Sequence, residues 1–364
     1  MKKAILLFAL SGILMIPVSG QLKEVGTFMA GGAADAEKLL EAYLEPFGNA
    51  LGANLSAGWY TSAKSHSLLG FDITATFSTA FIPDASKSFD LNSLAFSPLP
   101  TNVTRVFTPA TGIAPTMAGE KAAGPAINYN YNDGTNSATL ASYNTPQGLG
   151  VGFIPAPMFK LGIGLVKGTE IMGRYVPTLN MGKYGEFGLW GVGIKHELKQ
   201  YIPFIKKVPF LNLSLMGGYT KMLTGANIAL TPEDMGMTTS TLPATTWDNQ
   251  KMELGASNWT VNLLVSADIP VVTFYGGVGI SSSKTDLKLN GNYPLATFNT
   301  GTNQVDVTAV EDPIDISIGG KDGTITKPRL NIGMKFKLAV VHINFDYTYA
   351  NYSIATAGLG ISFR

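Results

Sequence analysis

Val341-His342-Ile343-Asn344-Phe345-Asp346-Tyr347-Thr348-Tyr349 alternates apolar or aromatic residues with polar ones for nine residues. A strand points successive side chains to opposite faces, so this stretch has one oily face and one polar face. The pattern recurs. Phe71, Ile73, Ala75 and Phe77 alternate with Asp72, Thr74, Thr76 and Ser78; Leu211, Leu213 and Leu215 with Asn212 and Ser214; Trp259, Val261, Leu263 and Val265 with Thr260, Asn262 and Ser266; and Leu330, Ile332, Met334, Phe336 and Leu338 with Asn331, Lys335 and Lys337. Many such segments of nine residues or more match tilted membrane-spanning strands better than the short strands of a soluble sandwich.

The start of the chain and its composition agree. Lys2 and Lys3 precede an apolar run over residues 4–16, and Val18-Ser19-Gly20 offers small residues for cleavage before Gln21. This reads as a signal peptide over residues 1–20, because the apolar run is shorter than the roughly 18–20 residues a spanning helix needs. A chain cut after Gly20 keeps 344 of the 364 residues and no cysteine, with 24 basic against 25 acidic groups. Nothing there favours a disulfide scaffold or a nucleic-acid partner. Charged residues are 14% of the chain, against roughly 25% in soluble domains. An apolar chain without spanning helices crosses a membrane by closing a sheet, since lipid cannot satisfy open backbone edges.

Loop lengths give a direction. With the last strand (about 353–363) running toward the periplasm, the turns near 338–340, 268–270, 199–208 and 167–169 fall inside. The long segments 286–325 and 224–256 and the short loop 178–183 fall outside, as in bacterial barrels. Val341 to Tyr349 then runs outward, with its oily face toward lipid and its polar face toward the lumen. Tyr219, Trp259, Tyr347, Tyr349 and Tyr352 fall near outer strand ends, where an aromatic girdle belongs.

The first half of the chain is less regular. Residues 33–51 predict a helix, with Leu39, Leu40, Tyr43, Leu44 and Phe47 at helical spacing and Pro46 late in it. Residues 52–64, 69–82 and 103–107 read as strands, and 126–131 with 136–143 as a hairpin around Asp133-Gly134. Counting these predicts an all-β, transmembrane antiparallel β-barrel of about 14 strands (12 to 16), with 83–100 as an unusually long inner turn. The organisation is a signal peptide (1–20), a lead and helix (21–51) and a barrel (52–364). The helix has two readings, a plug in the lumen or an element at the rim.

Some stretches carry a resemblance. Residues 358–364, Gly-Leu-Gly-Ile-Ser-Phe-Arg, resemble the closing strand of outer-membrane barrels, with Arg364 after the terminal aromatic as the departure. The block from Gly191-Val192-Gly193-Ile194-Lys195-His196-Glu197 through Pro209 to Gly217-Gly218-Tyr219-Thr220 is similar to one in an uncharacterised outer-membrane family of Bacteroidota-type bacteria. That resemblance implies location and fold but no activity. A barrel of about 14 strands with an N-terminal plug is more loosely similar to the long-chain fatty-acid transporter class, whose Asn-Pro-Ala stretch is missing here.

Chemistry is sparse. Asp72, Arg174, Lys195, Glu197, Asp268, Lys335, Lys337, His342, Asn344 and Asp346 are the candidate lumen-lining residues. They could form a selectivity lining; the plainer reading is that mixed charges satisfy one another in a polar lumen. His66, His196 and His342 lack metal-ligand spacing, and Glu311, Asp312, Asp315 and Asp322 do not match a calcium loop. No cofactor, metal site or catalytic residue is predicted. The glycines of strands, such as Gly193, relieve crowding where strands coil. The leading expectation is a non-enzymatic channel or transporter in the bacterial outer membrane for small molecules, hydrophobic ones included. The alternatives are a barrel enzyme acting on lipid or envelope substrates and a structural or surface-interaction protein. The expected partners are outer-membrane lipid, periplasmic chaperones and the barrel-assembly machinery.

Overall fold

The computed structural model describes residues 26–180, 185–235, 242–299, 304–320 and 322–363. The expected signal peptide and Arg364 lie outside them. After a 3-10 turn, Gly26–Gly31, comes helix α1 (Ala33–Ser56), then strand β1 (Phe71–Phe81). Five short strands follow: β2 (Ser88–Asp90), β3 (Val103–Thr108), β4 (Ile113–Pro115), β5 (Ala126–Asn132) and β6 (Ser137–Asn144). Then come β7 (Phe153–Gly164), β8 (Thr169–Asn180), β9 (Glu186–Glu197), the one-turn helix α2 (Pro203–Lys206), β10 (Leu211–Asn227), β11 (Lys251–Asp268) and β12 (Val272–Asn290). The chain finishes with β13 (Asn292–Asn299), β14 (Gln304–Glu311), β15 (Ile314–Ile318), β16 (Thr324–Leu338), β17 (Val341–Tyr349) and β18 (Ser353–Phe363).

Ten strands close into a ring in the order β1, β7, β8, β9, β10, β11, β12, β16, β17, β18 and back to β1, all antiparallel. The seam is sound: β1 pairs with β18 over eleven residues, from Phe71↔Phe363 to Phe81↔Ser353. β15 extends the sheet beside the upper part of β12, and β13 with β14, β2 with β4, and β3, β5 and β6 form small sheets outside the ring. The connections 165–168, 198–210, 269–271 and 339–340 lie at one end, the turn end. The connections 82–152, 228–250 and 291–323 lie at the other, the loop end.

Burial identifies the solvent of the outer face. Along β17, Val341, Ile343, Phe345, Tyr347 and Tyr349 are exposed, whereas His342, Asn344, Asp346 and Thr348 are buried. β11, β12, β16 and β18 repeat the inversion with Trp259, Val261, Leu263, Phe274, Val278, Leu330, Ile332, Leu359 and Ile361. A contiguous apolar belt of this extent is unfavourable in water and favourable in lipid. No described helix is long and apolar enough to span a membrane; the strands do so.

The strand count corrects the expectation of about 14. Residues 52–64 are not a strand: α1 runs past Pro46 to Ser56, and residues 57–63 are buried on both parities because they pass through the lumen. The barrel therefore starts at Phe71 rather than at residue 52. β3, β5 and β6 do alternate, but as a separate sheet in the loop 82–152, which leaves by the loop end and is not an inner turn. Tyr352 also departs from the girdle: it is buried at the loop end beside α1. Tyr347, Tyr349 and Trp259 are exposed on the outer face, and Tyr219 packs on Trp190 with ring centroids 5.6 Å apart.

A helix rises about 1.5 Å per residue, so the 24 residues of α1 extend ~36 Å. A ring of eight strands is filled by its own side chains; ten leave room for one helix. α1 takes that room as a plug, with Leu39, Leu40, Tyr43 and Leu44 buried and Phe47 half-buried.

Candidate functional site

The N-terminal segment threads the barrel from loop end to turn end. At the loop end, Asp35 in the first turn of α1 pairs with Arg105 of β3 at 2.6 Å and accepts from the Ser97 amide at 2.7 Å. Lower down, Thr285 of β12 donates to the Gly48 carbonyl (3.1 Å), and Asn54 donates to the Ile154 carbonyl of β7 (2.6 Å). The last turn of a helix leaves carbonyls without partners. Here two buried arginines supply them. Arg174 of β8 donates to Leu55 O (2.9 Å) and to Ala57 O, and Arg329 of β16 donates to Ser56 O (2.7 Å). Positive charge at a helix C-terminus also meets the negative end of the helix dipole.

Below the helix an extended stretch continues. Trp59 lies under the Arg174 guanidinium, 3.7 Å from ring centroid to Cζ, a cation–π stack. The wall makes room for it: a Cβ at Gly193 or Gly218 would stand 2.8 or 2.7 Å from the indole. These two glycines thus serve the plug as well as the strand. Tyr60 meets Tyr275 edge-on at 6.1 Å, and Tyr275 donates to Asp346 at 3.1 Å.

The turn-end half of the lumen is ionic. Asp72 pairs with Lys160 at 3.0 Å, lies 3.5 Å from His342 and accepts from Thr74 at 2.8 Å. Glu170 pairs with Lys195 (3.1 Å) and with His66 of the threading segment (2.9 Å). Lys195 also donates to Ser62 O and Lys64 O. Asp268 accepts from Ser62, Asn212, Ser266 and Thr273, and Lys335 donates to Thr61. These charges spend themselves on the threading segment and on one another. Asp72, Lys160, Glu170, Arg174, Lys195 and Asn344 are each no more than 4% exposed, so no continuous water-filled bore runs past them.

Among the described residues the wall is interrupted between β7 and β8. β7 and β8 have twelve residues each, yet they pair only from Gly164↔Glu170 to Lys160↔Arg174. Above that pair, 153–159 and 175–180 share no strand pairing among the described residues. Pro155, Pro157 and Pro177 stand in these segments. Proline cannot donate to a ladder and belongs on strand edges. The gap is edged by exposed Phe153, Phe159 and Tyr175 and backed by buried Ile154 and Met158 and half-buried Val176. Separately, a cavity of about 430 Å³ opens at the loop end between α1 (Glu45, Asn49) and Phe89, Lys327, Asn351 and Tyr352.

A family model matches residues 1–363. The chain belongs to a family of unknown function (DUF6588). No curated protein matches it. Among solved structures, the chain is 9% identical to Ail, the attachment invasion locus protein of Yersinia pestis, over 81% of this chain and 100% of that one, at a TM-score of 0.24. It is 10% identical to the translocator domain of the autotransporter NalP from Neisseria meningitidis, over 87% and 93%, again at 0.24. For the outer membrane protein opdK from Pseudomonas aeruginosa the figures are 8%, 81%, 98% and 0.14. Superpositions this poor transfer no property to this family member.

Of the residues singled out from sequence, Asp72, Arg174, Lys195, Asp268, Lys335, His342, Asn344 and Asp346 all face the lumen and join these networks or pack beside them. Glu197 is half-buried and Lys337 exposed at the turn end. Lys160, Glu170 and Arg329 were not anticipated. Arg329 shares the parity of Asn331, and Glu170 that of Arg174, so extending the alternation by one step in the first case and two in the second would have found both. The three histidines stay apart: His66 meets Glu170, His342 meets Asp72, and His196 meets Thr169 and Tyr201. Thr74 and Asp72 both approach the same His342 nitrogen, Nε2, in a buried place. A nucleophile and its orienting acid need opposite ring nitrogens and access to substrate. Among the described residues no three His, Cys, Asp or Glu are grouped to hold a metal ion.

Proposed function

We propose that this chain is a non-enzymatic outer-membrane barrel that takes up small apolar molecules through the side of its wall rather than along a water-filled bore. The observation that carries the reading is the interrupted β7–β8 ladder, with aromatics at its edge and apolar side chains behind it. Backbone left unpaired in lipid is costly, and the three prolines reduce that cost by removing donors. The filled lumen supports the same reading, because a passive polar channel would need an open bore. Outer-membrane placement follows from the closed antiparallel ring, the apolar belt and the signal peptide read from the sequence.

Continuing the register past Lys160↔Arg174 sets residue 157 opposite 177. Pro157→Cys with Pro177→Cys, oxidised, should close the gap. The reduced variant is expected to enhance the emission of an apolar naphthylamine fluorophore. The oxidised form should lose most of that signal and regain it on reduction. Undiminished fluorophore binding by the oxidised form would sink the lateral route.

A second reading is favoured by the loop-end cavity of about 430 Å³ beside α1. There the protein would act at its loop face as a surface-binding protein, with the barrel as a stand. Fluorophore binding that survives the lock but falls with Tyr352→Ala would favour it.

A further inference from the structure

The connection 198–210 is the longest at the turn end, and it lies against the outer edge of the barrel rather than over the mouth. His196 and Thr169 continue the outward-facing rows of Val192, Ile194 and Ile171. His196 Nδ1 meets Thr169 Oγ1 at 2.9 Å, and His196 Nε2 meets Tyr201 OH at 3.0 Å with the two rings 5.6 Å apart. Gln200 donates to Lys167 O of the neighbouring turn at 2.8 Å. These bonds hold the connection at the lower border of the apolar belt. From it Tyr201 (63% exposed) and Phe204 (78%) project, with Val166 (61%) beside them. Next to these apolar groups stand Lys167, Lys206 and Lys207, all exposed and without an acidic partner among the described residues. Lys199 differs: it is spent on Val208 O and Pro209 O.

Aromatic rings with unpaired cations just beyond them fit the boundary between acyl chains and phosphate headgroups, where rings settle and lysines reach outward. We infer that the α2 connection, through Phe204, Lys206 and Lys207 with Lys167 alongside, is a binding surface for anionic phospholipid headgroups in the leaflet at the turn end. The occupant follows from charge complementarity: three exposed cations outnumber the one carboxylate at this edge, half-buried Glu197 beside Gly168, so the surface calls for a negative headgroup, and the rings fix its depth. The inference rests on the barrel being embedded in a membrane and does not depend on the β7–β8 gap.

The test is native mass spectrometry of the full chain in detergent containing equal phosphatidylglycerol and phosphatidylcholine. The wild type should retain phosphatidylglycerol preferentially. Lys206→Gln with Lys207→Gln should lower that preference about 25-fold, since each cation near an anionic surface contributes roughly five-fold. Lys121→Gln with Lys288→Gln, at the loop end, should leave it unchanged. Phe204→Ser should reduce retention of both lipids. Equal retention of the two lipids by the wild type, or an undiminished preference in the α2 double variant, overturns the inference. All variants should keep the gel shift between boiled and unboiled samples. A wild type without that shift would instead remove the membrane barrel itself.

Discussion

Arg174 and Arg329 stand on strands five places apart whichever way the ten-strand ring is counted, and both end on the same turn of α1. Two opposite walls are thus joined through the plug. Removing Arg174 takes the donor from Ala57 O, while Leu55 O keeps Thr220, and removing Arg329 takes it from Ser56 O; a hydrogen bond from a charged donor contributes about 1.5–3 kcal/mol. Arg329→Met and Arg174→Met should each lower stability by about 3 kcal/mol, read as the urea midpoint of the folded band on unboiled gels. The double variant should lose less than the sum, because the helix end frays once either contact is gone. Strict additivity would show that the two do not share a load.

Asp72 and Lys160, 3.0 Å apart and both almost wholly buried, make a different prediction. Taking one partner away strands the other's charge, at a cost of about 3–5 kcal/mol. Asp72→Asn or Lys160→Met alone should therefore be severe. The two together should recover most of the loss, because an uncharged pair of similar volume needs no compensation. A double-variant loss equal to the sum of the single losses would mean that His342 and Thr74, not Lys160, hold the carboxylate.

The same region explains what could be read in advance. β17 was legible because lipid lies on one side of it and the ionic half of the lumen on the other. In β7, Phe153-Ile154-Pro155-Ala156-Pro157-Met158-Phe159, both faces are apolar: Ile154 and Met158 meet α1 while Phe153 and Phe159 face outward. Wherever the plug presents an oily surface, the wall copies it and the two-residue period disappears. β3, β5 and β6 misled in the opposite direction. They alternate because one face, with Ile127, Tyr129 and Tyr143, packs inward on the core at the loop end, and periodicity cannot distinguish that packing from lipid. The charges of the plug's partners were half legible. Asp72 and Lys195 lie in alternating strands, whereas Lys160 lies in an apolar run that hides its parity. That the segment 57–63 runs down the lumen has no periodic signature at all, since every residue in it is enclosed.

The prolines at the gap give a prediction independent of any ligand. Amides exchange slowly when they donate within a ladder and quickly when they do not. Amides over 153–159 that face β8, and those over 175–180 that face β7, should exchange much faster than those of 160–164 and 170–174. Replacing Pro155, Pro157 and Pro177 by valine restores three donors to strands already side by side at Lys160↔Arg174. The triple variant should slow exchange over these segments by tenfold or more, and apolar fluorophore uptake should fall with it. Slow exchange in the wild type would mean that the strands pair through their whole length in the membrane.

Deleting residues 28–50 tests the plug. The deletion removes Phe28, Leu39, Leu40, Tyr43 and Leu44 from the loop-end half of the lumen but spares Trp59 and the contacts of His66 below. A ten-strand ring without its helix has an interior somewhat wider than one filled by side chains alone. The wild type should show no steady current in a planar bilayer, because the charged side chains of its lumen are sealed from water. The deletion should give discrete, flickering conductance steps, since residues 57–69 still obstruct the lower bore. Extending the deletion to residue 63 removes Trp59, Tyr60 and the donor Ser62 and should enlarge and steady those steps. Unchanged conductance in both deletions, with the gel heat shift retained, would show that the wall collapses onto itself and that α1 fills the barrel without being what closes it.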